Sequence, residues 1–330
     1  MRTHRVAGFR LESGDVLDEV TQGYRLFGEP DGDNLVVVFH ALTGSPDADE
    51  WWSGVVGPGL ALDTREYAVL CPNLLGSCYG TVAPWQRDGT PAPPVTPRDQ
   101  ARLVGHLVDD VGGGSVALAT GGSVGGMVVL EWAALFPQRT RAAVVFAAPA
   151  AHTASAIGWN HVQRHAVGLG GAEAGLALAR MVGMLTYRTP GELEGRFGRR
   201  GGARGFAVRD YLTGHGSRLV ERFDAASYIT LLDAMDAHDV GAGRGGVGAA
   251  LREFRGRLVG VGIPGDLLYT DDDVRRWTEE AGAEYREIRS ARGHDGFLLE
   301  TDQVSAILAE VLAGVAPNEC GMVPHLDPGA

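Results

Sequence analysis

The chain has 330 residues, 45% of them apolar and 21% charged, with 29 Lys and Arg against 41 Asp and Glu and a formal net charge of −12. This is the composition of an ordinary globular protein with a sizeable core. An acidic balance without any Lys/Arg-rich run argues against nucleic acid and membrane surfaces as partners, since both need clustered basic charge. In chain order, short apolar runs bounded by turn residues recur at Leu35–Phe39, Ala68–Cys71, Val116–Thr120, Ala142–Phe146 and Leu258–Gly262. They predict buried strands of a mainly parallel sheet. Helical spacing separates them at Arg98–Leu107 and at Val124–Phe136, the latter stopped by Pro137. Strand alternating with helix means an α/β fold.

Between about residues 151 and 245 the alternation lapses. Gly175–Leu185, Ser217–Phe223 and Ser227–Ala237 read as helices, no strand intervenes, and the Gly-rich stretch Val240–Gly248 is a flexible or tightly turned return. The expected organisation is a core from residues 1–150 and 246–330 with a helical lid inserted at 151–245. After Gly314 a loosely packed terminus is expected. Cys71, Cys78 and Cys320 form no C-x-x-C pair and no zinc spacing, so neither a disulfide framework nor a metal is expected, and a reducing cytoplasm is the simplest location. There is no signal-peptide core, and the longest nearly apolar run, Ala142–Ala151, is too short for a bilayer.

The strongest local signal is Gly121-Gly-Ser123-Val-Gly125, a G-x-S-x-G placed after a strand and before a helix. That is the context of a nucleophile elbow, in which small neighbours let the turn close and the serine hydroxyl is presented at the sheet edge. The bland alternative is a serine that merely caps the helix. A nucleophilic serine needs a base and an acid, in the chain order Ser, Asp or Glu, His. His294, in Gly293-His-Asp-Gly-Phe-Leu298, lies after the last apolar run in a glycine-flanked loop, whereas His161, His165, His215 and His238 lie in the insertion and His40 precedes the serine. For the acid, Asp266 sits at the end of a strand. Asp271, Asp272 and Asp273 after Thr270 instead resemble a capped helix start. An oxyanion hole would take one amide from Val124 and a second from the loop Phe39–Gly44, near Leu42. Two G-x-G-x-x-G matches, at Gly241 and Gly260, lack the context of a dinucleotide site.

These motifs together make the chain resemble the homoserine O-acetyltransferase family of the α/β-hydrolase superfamily. The likeness is carried by His40-Ala-Leu-Thr-Gly44, Trp51-Trp52, Asn73-Leu-Leu-Gly-Ser-Cys-Tyr-Gly80, Gly121–Gly126 and Gly293–Leu298. Within the insertion it is carried by Gly175–Arg180, Leu185–Arg188, Arg222–Tyr228 and His238–Val240. The resemblance implies an α/β-hydrolase fold, a Ser123–Asp266–His294 triad and an oxyanion hole of the Leu42 and Val124 amides. It implies Arg180 for the carboxylate and Asp295 for the ammonium of an amino-acid acceptor. It implies acetyl-CoA as co-substrate with no bound cofactor, and a homodimer through the lid helices. The expected reaction is ping-pong acetyl transfer to L-homoserine in methionine biosynthesis. The alternatives are succinyl transfer, an L-serine acceptor, or ester or thioester hydrolysis by the same triad. Val124 stands where the family has Met, Ser77 replaces a glycine, and the stretch from Ala166 to Gly175 is shorter than usual, which puts the differences at the acyl pocket and the lid.

Overall fold

In the computed structural model, residues 1–315 are described, so the terminus expected after Gly314 lies almost wholly outside them. Eight strands form one sheet: β1 (Arg2–Arg10), β2 (Val16–Phe27), β3 (Leu35–Phe39), β4 (Ala68–Pro72), β5 (Val116–Gly122), β6 (Ala142–Phe146), β7 (Arg257–Gly262) and β8 (Glu284–Glu287). Their spatial order is β1-β2-β4-β3-β5-β6-β7-β8. From β4 to β8 all neighbours are parallel, while β2 joins β4, and β1 joins β2, antiparallel.

The central strands β3, β4, β5 and β6 are buried along their whole length, because helices cover both faces, and this is why they read as unbroken apolar runs. Side chains alternate between two cores. Val37 and Phe39 pack with Trp132 and Met127 on one face, and Val36 and Val38 pack with Trp52, Phe146 and Val304 on the other. Helix starts are set locally. Thr96 accepts from the Asp99 amide to open the helix Pro97–Asp110, and Thr270 accepts from the Asp273 amide to open Asp271–Ala281. Asp271, Asp272 and Asp273 are therefore the acidic first turn of a helix, favourable next to its positive end.

Between β6 and β7 the chain forms the helices Ala154–Gly170, Leu176–Tyr187, Pro190–Phe197, Ala207–Val220 and Ala225–Asp236. A single π-helical turn, Gly171–Gly175, joins the first two. A Cβ on Gly175 would lie 2.5 Å from Val167 Cα, so only glycine allows that tight link. The helix expected at Ser217–Phe223 is misplaced: it runs from Ala207 to Val220. The chain must turn out before Asp224, whose carboxylate takes the Ser227 amide at 2.7 Å and caps the next helix.

The inserted segment leaves and rejoins the core at one point. An antiparallel bridge pairs Ala151 with Asp239, flanked by His152 N to His238 O at 2.8 Å and Val240 N to Ala150 O at 2.9 Å. The Gly-rich return is tightly turned: Arg244 and Gly246 both donate to the Gly241 carbonyl. Arg244 also reaches Glu131 Oε2 at 2.6 Å, where Arg98 Nε arrives at 3.1 Å. Glu131 lies on the helix behind Ser123, so the return is strapped to that helix by a buried, doubly paired carboxylate. Among the described residues no helix is long and apolar enough to cross a membrane.

Candidate active site

Ser123 ends β5 and opens the helix Val124–Leu135. Its φ of +59° and ψ of −129° are strained for a residue with a Cβ, at a cost of about 1–3 kcal/mol. The turn persists because the backbone around it is over-determined. Ser123 N donates to Phe146 O at 3.0 Å, and Met127 N donates back to Ser123 O at 3.1 Å. A Cβ on Gly121 would lie 2.7 Å from Phe39 O, and one on Gly125 would overlap that same oxygen. Ser123 occupies the N-cap position, yet its side chain caps nothing. The bland reading of this serine therefore fails, and the hydroxyl is left for other chemistry.

His294 stands in a short 3₁₀ turn, Gly293–Asp295, preceded by β8 and followed by the helix Gly296–Leu299. Its Nδ1 lies 2.7 Å from Asp266 Oδ2. Asp266 Oδ1 accepts from the amides of Leu268 at 2.8 Å and Tyr269 at 3.1 Å, so both carboxylate oxygens are engaged and the acid cannot swing. Burial disfavours protonation of His294, but the charge and hydrogen bond of Asp266, helped by Asp295, outweigh it and raise the pKa above the usual histidine value. With Nδ1–H committed to the carboxylate, Nε2 is the nitrogen free to act as a base. Nε2 is buried and makes no hydrogen bond to a described group, so Ser123 and His294 are not hydrogen-bonded here. Catalytic hydrogen bonds of this kind tighten when substrate arrives.

The Leu42 and Val124 amides, expected as oxyanion donors, make no hydrogen bond to any described group. Each is buried at a backbone turn. The sequence reading set His40 aside because it precedes the serine, but the residue governs one of those amides. Its Nδ1–H donates to Ala41 O at 2.8 Å, and its Nε2 accepts from Leu74 N at 3.1 Å. Burial holds it neutral, with a pKa of about 4. The Ala41 carbonyl and the Leu42 N–H belong to one trans peptide plane and point in opposite directions. Pinning the carbonyl therefore aims the amide. Gly44 N adds a second bond to the same carbonyl at 2.8 Å.

On the inserted side, Arg180 and Tyr187 lie on the helix Leu176–Tyr187. The guanidinium sits 5.4 Å from the Tyr187 ring centroid, and that ring lies 5.7 Å from His294. Arg180 is half-buried, and no carboxylate pairs with it among the described residues. Asp295 is already paired: Arg188 Nη2 lies 2.9 Å from its Oδ2, and Arg188 Nη1 lies 3.5 Å from Glu192. No sequence signal singled out Arg188, because its partners are remote or unremarkable along the chain. Arg222 crosses from the inserted segment to the oxyanion loop, donating to Thr43 O at 2.7 Å and to the Tyr79 hydroxyl at 2.8 Å. Among the described residues no group of three or more His, Cys, Asp or Glu could hold a metal.

Comparison with known proteins agrees with this architecture. Residues 34–169 match the family described as alpha/beta hydrolase fold. The chain is 40% identical to the homoserine O-acetyltransferase of Clavibacter michiganensis subsp. michiganensis, over 93% of its own length and 91% of that protein. The crystal structure of homoserine O-acetyltransferase from Staphylococcus aureus superposes with a TM-score of 0.82 at 31% identity, covering 94% of each chain. The structure of esterase E22 reaches a TM-score of 0.85 at 17% identity, covering 94% of this chain and 99% of the other, which is likeness of fold alone. Identity at that level, over more than nine-tenths of both chains, places the chain in the homoserine O-acetyltransferase family.

Proposed function

We propose that this chain transfers the acetyl group of acetyl-CoA to the hydroxyl of L-homoserine, a step of methionine biosynthesis, through an acyl-enzyme on Ser123. His294 Nε2 takes the Ser123 proton as the hydroxyl attacks the thioester carbonyl, and Asp266 stabilises the imidazolium. The tetrahedral oxyanion rests on the Leu42 and Val124 amides. The imidazolium then gives its proton to the departing thiolate, and CoA leaves. In the second half the same imidazole deprotonates the acceptor hydroxyl, which attacks the acetyl-serine ester and regenerates Ser123.

A hydrolase needs only the first half of this machinery. The observation that supports a transferase is the half-buried Arg180 guanidinium, which lacks a carboxylate partner and stacks on Tyr187 beside His294. Such a cation suits the carboxylate of an incoming amino acid. Arg188 holds one oxygen of Asp295, which leaves the other for the ammonium group. A zwitterion gripped at both ends presents its hydroxyl in line, at an effective molarity of roughly 10⁵ M or more, and so outcompetes water. The inserted helices from about residue 151 to 245 serve as the lid that carries this acceptor site. The exposed apolar residues Trp159, Val162 and Leu169, which share one face of its first helix, fit a surface buried in a homodimer.

The test is CoA release and product mass with acetyl-CoA or succinyl-CoA, without acceptor, with L-homoserine or with L-serine. Release that depends on homoserine, with an acetylated product, is expected. A Ser123→Ala enzyme should lose about 10⁴-fold or more of that activity. Acceptor-independent release would make the protein a hydrolase, and a succinylated product or a serine preference would relocate the specificity to the pocket around Val124 and Ser77.

A further inference from the structure

Behind the Asp266–His294 pair lies a second carboxylate and imidazole, and Tyr269 touches both sets. Tyr269 is wholly buried. Its backbone amide donates to Asp266 Oδ1 at 3.1 Å, and its ring meets His294 edge to face at 5.3 Å and 76°. Its hydroxyl lies 3.0 Å from His152 Nε2. His152 Nδ1 in turn lies 3.0 Å from Asp236 Oδ1. Asp236 is held by Asn160 Nδ2 at 2.8 Å and by Arg164, both on the helix Ala154–Gly170. The Asp236 carboxylate is a close charged neighbour of Nδ1 without a hydrogen bond to it, while His152 Nε2 and the Tyr269 hydroxyl share a hydrogen bond whose direction follows the tautomer of the ring.

The order carboxylate, imidazole, hydroxyl repeats that of the proposed triad, but this line ends on a buried phenol with no route to substrate. We infer that Tyr269 is a positioning residue: through the Asp236–His152 line it fixes the Asp266 loop and the His294 ring, and it ties their geometry to the inserted helices. The inference rests on the acyl-transfer reading above. Two of these contacts of Tyr269 belong to the chemical pair and the third belongs to the insertion. A movement of the helices Ala154–Gly170 and Ala225–Asp236 therefore reaches Asp266 through Tyr269, beside the contacts that Tyr187 and Arg188 make to His294 and Asp295.

Tyr269→Phe tests this with little disturbance, because it keeps the ring and the backbone amide and removes only the hydroxyl. Acylation by acetyl-CoA should fall roughly three- to ten-fold in kcat, the size of one hydrogen bond, with KM for acetyl-CoA little changed. The groups facing His294 are Asp266, Asp295, Tyr187 and Tyr269, with Arg188 beyond Asp295. Loosening Asp266 weakens its support of the imidazolium, so the acid limb of the pH profile should move to lower pH. Asp236→Asn should do the same, and the double variant should lose no more than the worse single one, since both cut one line. Wild-type kcat and an unmoved acid limb in Tyr269→Phe would overturn the inference even if its melting temperature falls, and so would losses that multiply in the double variant. Asp266→Asn serves as reference. If it keeps full activity, the acyl-transfer reading falls and takes this inference with it; if it is inactive while Tyr269→Phe is unaffected, only the inference falls.

Discussion

Around Ser123 the contacts converge on main-chain atoms. Phe39 O sits where a Cβ on Gly121 or Gly125 would go, Phe146 O receives the Ser123 amide, and the His40-pinned peptide aims the Leu42 N–H. In the inserted segment the contacts are made by long side chains: Arg188 reaches Asp295 and Glu192, Arg222 reaches Thr43 and Tyr79, and Arg164 reaches Asp233 and Asp236. Backbone contacts tolerate no substitution within the turn, whereas side-chain contacts can be rewired one residue at a time. The turn that carries Ser123 is thus constrained more tightly than the proposed acceptor side around Arg180 and Asp295.

The sharpest way to break this contrast is to add one carbon to the serine side. Gly125→Ala should destabilise the fold by about 3 kcal/mol or more, because the new methyl meets a backbone oxygen inside a parallel sheet that cannot retreat. A melting temperature close to that of the wild type would show that the elbow is softer than its contacts imply.

Acid should act on the serine side through His40 and at the neck of the inserted segment through His238. His40 and His238 are buried neutral, with pKa values of about 4 and about 3 against an unfolded value of 6.5. For a depressed pKa the stabilisation is complete above the unfolded value and is lost as pH falls through the window to the folded one. His40 alone should therefore cost about 3 kcal/mol between pH 6.5 and 4. His294 has the opposite sign: its raised pKa stabilises the fold fully below 6.5, and that contribution fades as pH rises through the folded value. Chemical denaturation from pH 7 to pH 4 should show a net fall in stability, and a flat profile would refute the neutral buried state of His40.

The smallest effect is expected on the acceptor side. Arg180→Ala should leave CoA release in the first half-reaction intact, raise the acceptor KM roughly ten-fold or more, and increase hydrolytic leakage of the acyl-enzyme. Unchanged acceptor kinetics would remove Arg180 from the site.

The same division governs what the sequence made legible. β3 and β6 end where their apolar runs end, because strands covered on both faces have no polar residue to blur the pattern. β1 and β2 escaped that search because neither holds an unbroken apolar run: β1 is mostly exposed and buries only Val6 and Phe9, and β2 buries the polar Gln22 beside Val20 and Tyr24. β8, Glu284–Glu287, is a polar edge strand with no apolar run at all. In the site, Ser123, Asp266 and His294 stood out because local turns announce them. Arg188, His40 and Tyr269 did not, because their importance lies in partners folded in from elsewhere: Tyr269 meets His152 across 117 positions of chain. Ser77 was legible only as a departure, and the Val124 side chain likewise, although its amide was expected from its place after Ser123. Ser77 is wholly buried and its hydroxyl has no partner among the described residues, and nothing in the structure explains why a serine stands there.

The single bridge between Ala151 and Asp239 has an evolutionary consequence. Two chain ends already held side by side accept almost any length between them, since loop closure becomes harder only with the logarithm of loop size. The helices between those ends can be treated as a cassette whose ends are clipped to each other at one rung, strapped by Arg244 to the helix behind the serine and touching the core again through Arg188, Arg222 and His152. Swapping that cassette between relatives should carry acceptor preference with it and leave the strand register, the elbow and the bond-making atoms inherited unchanged.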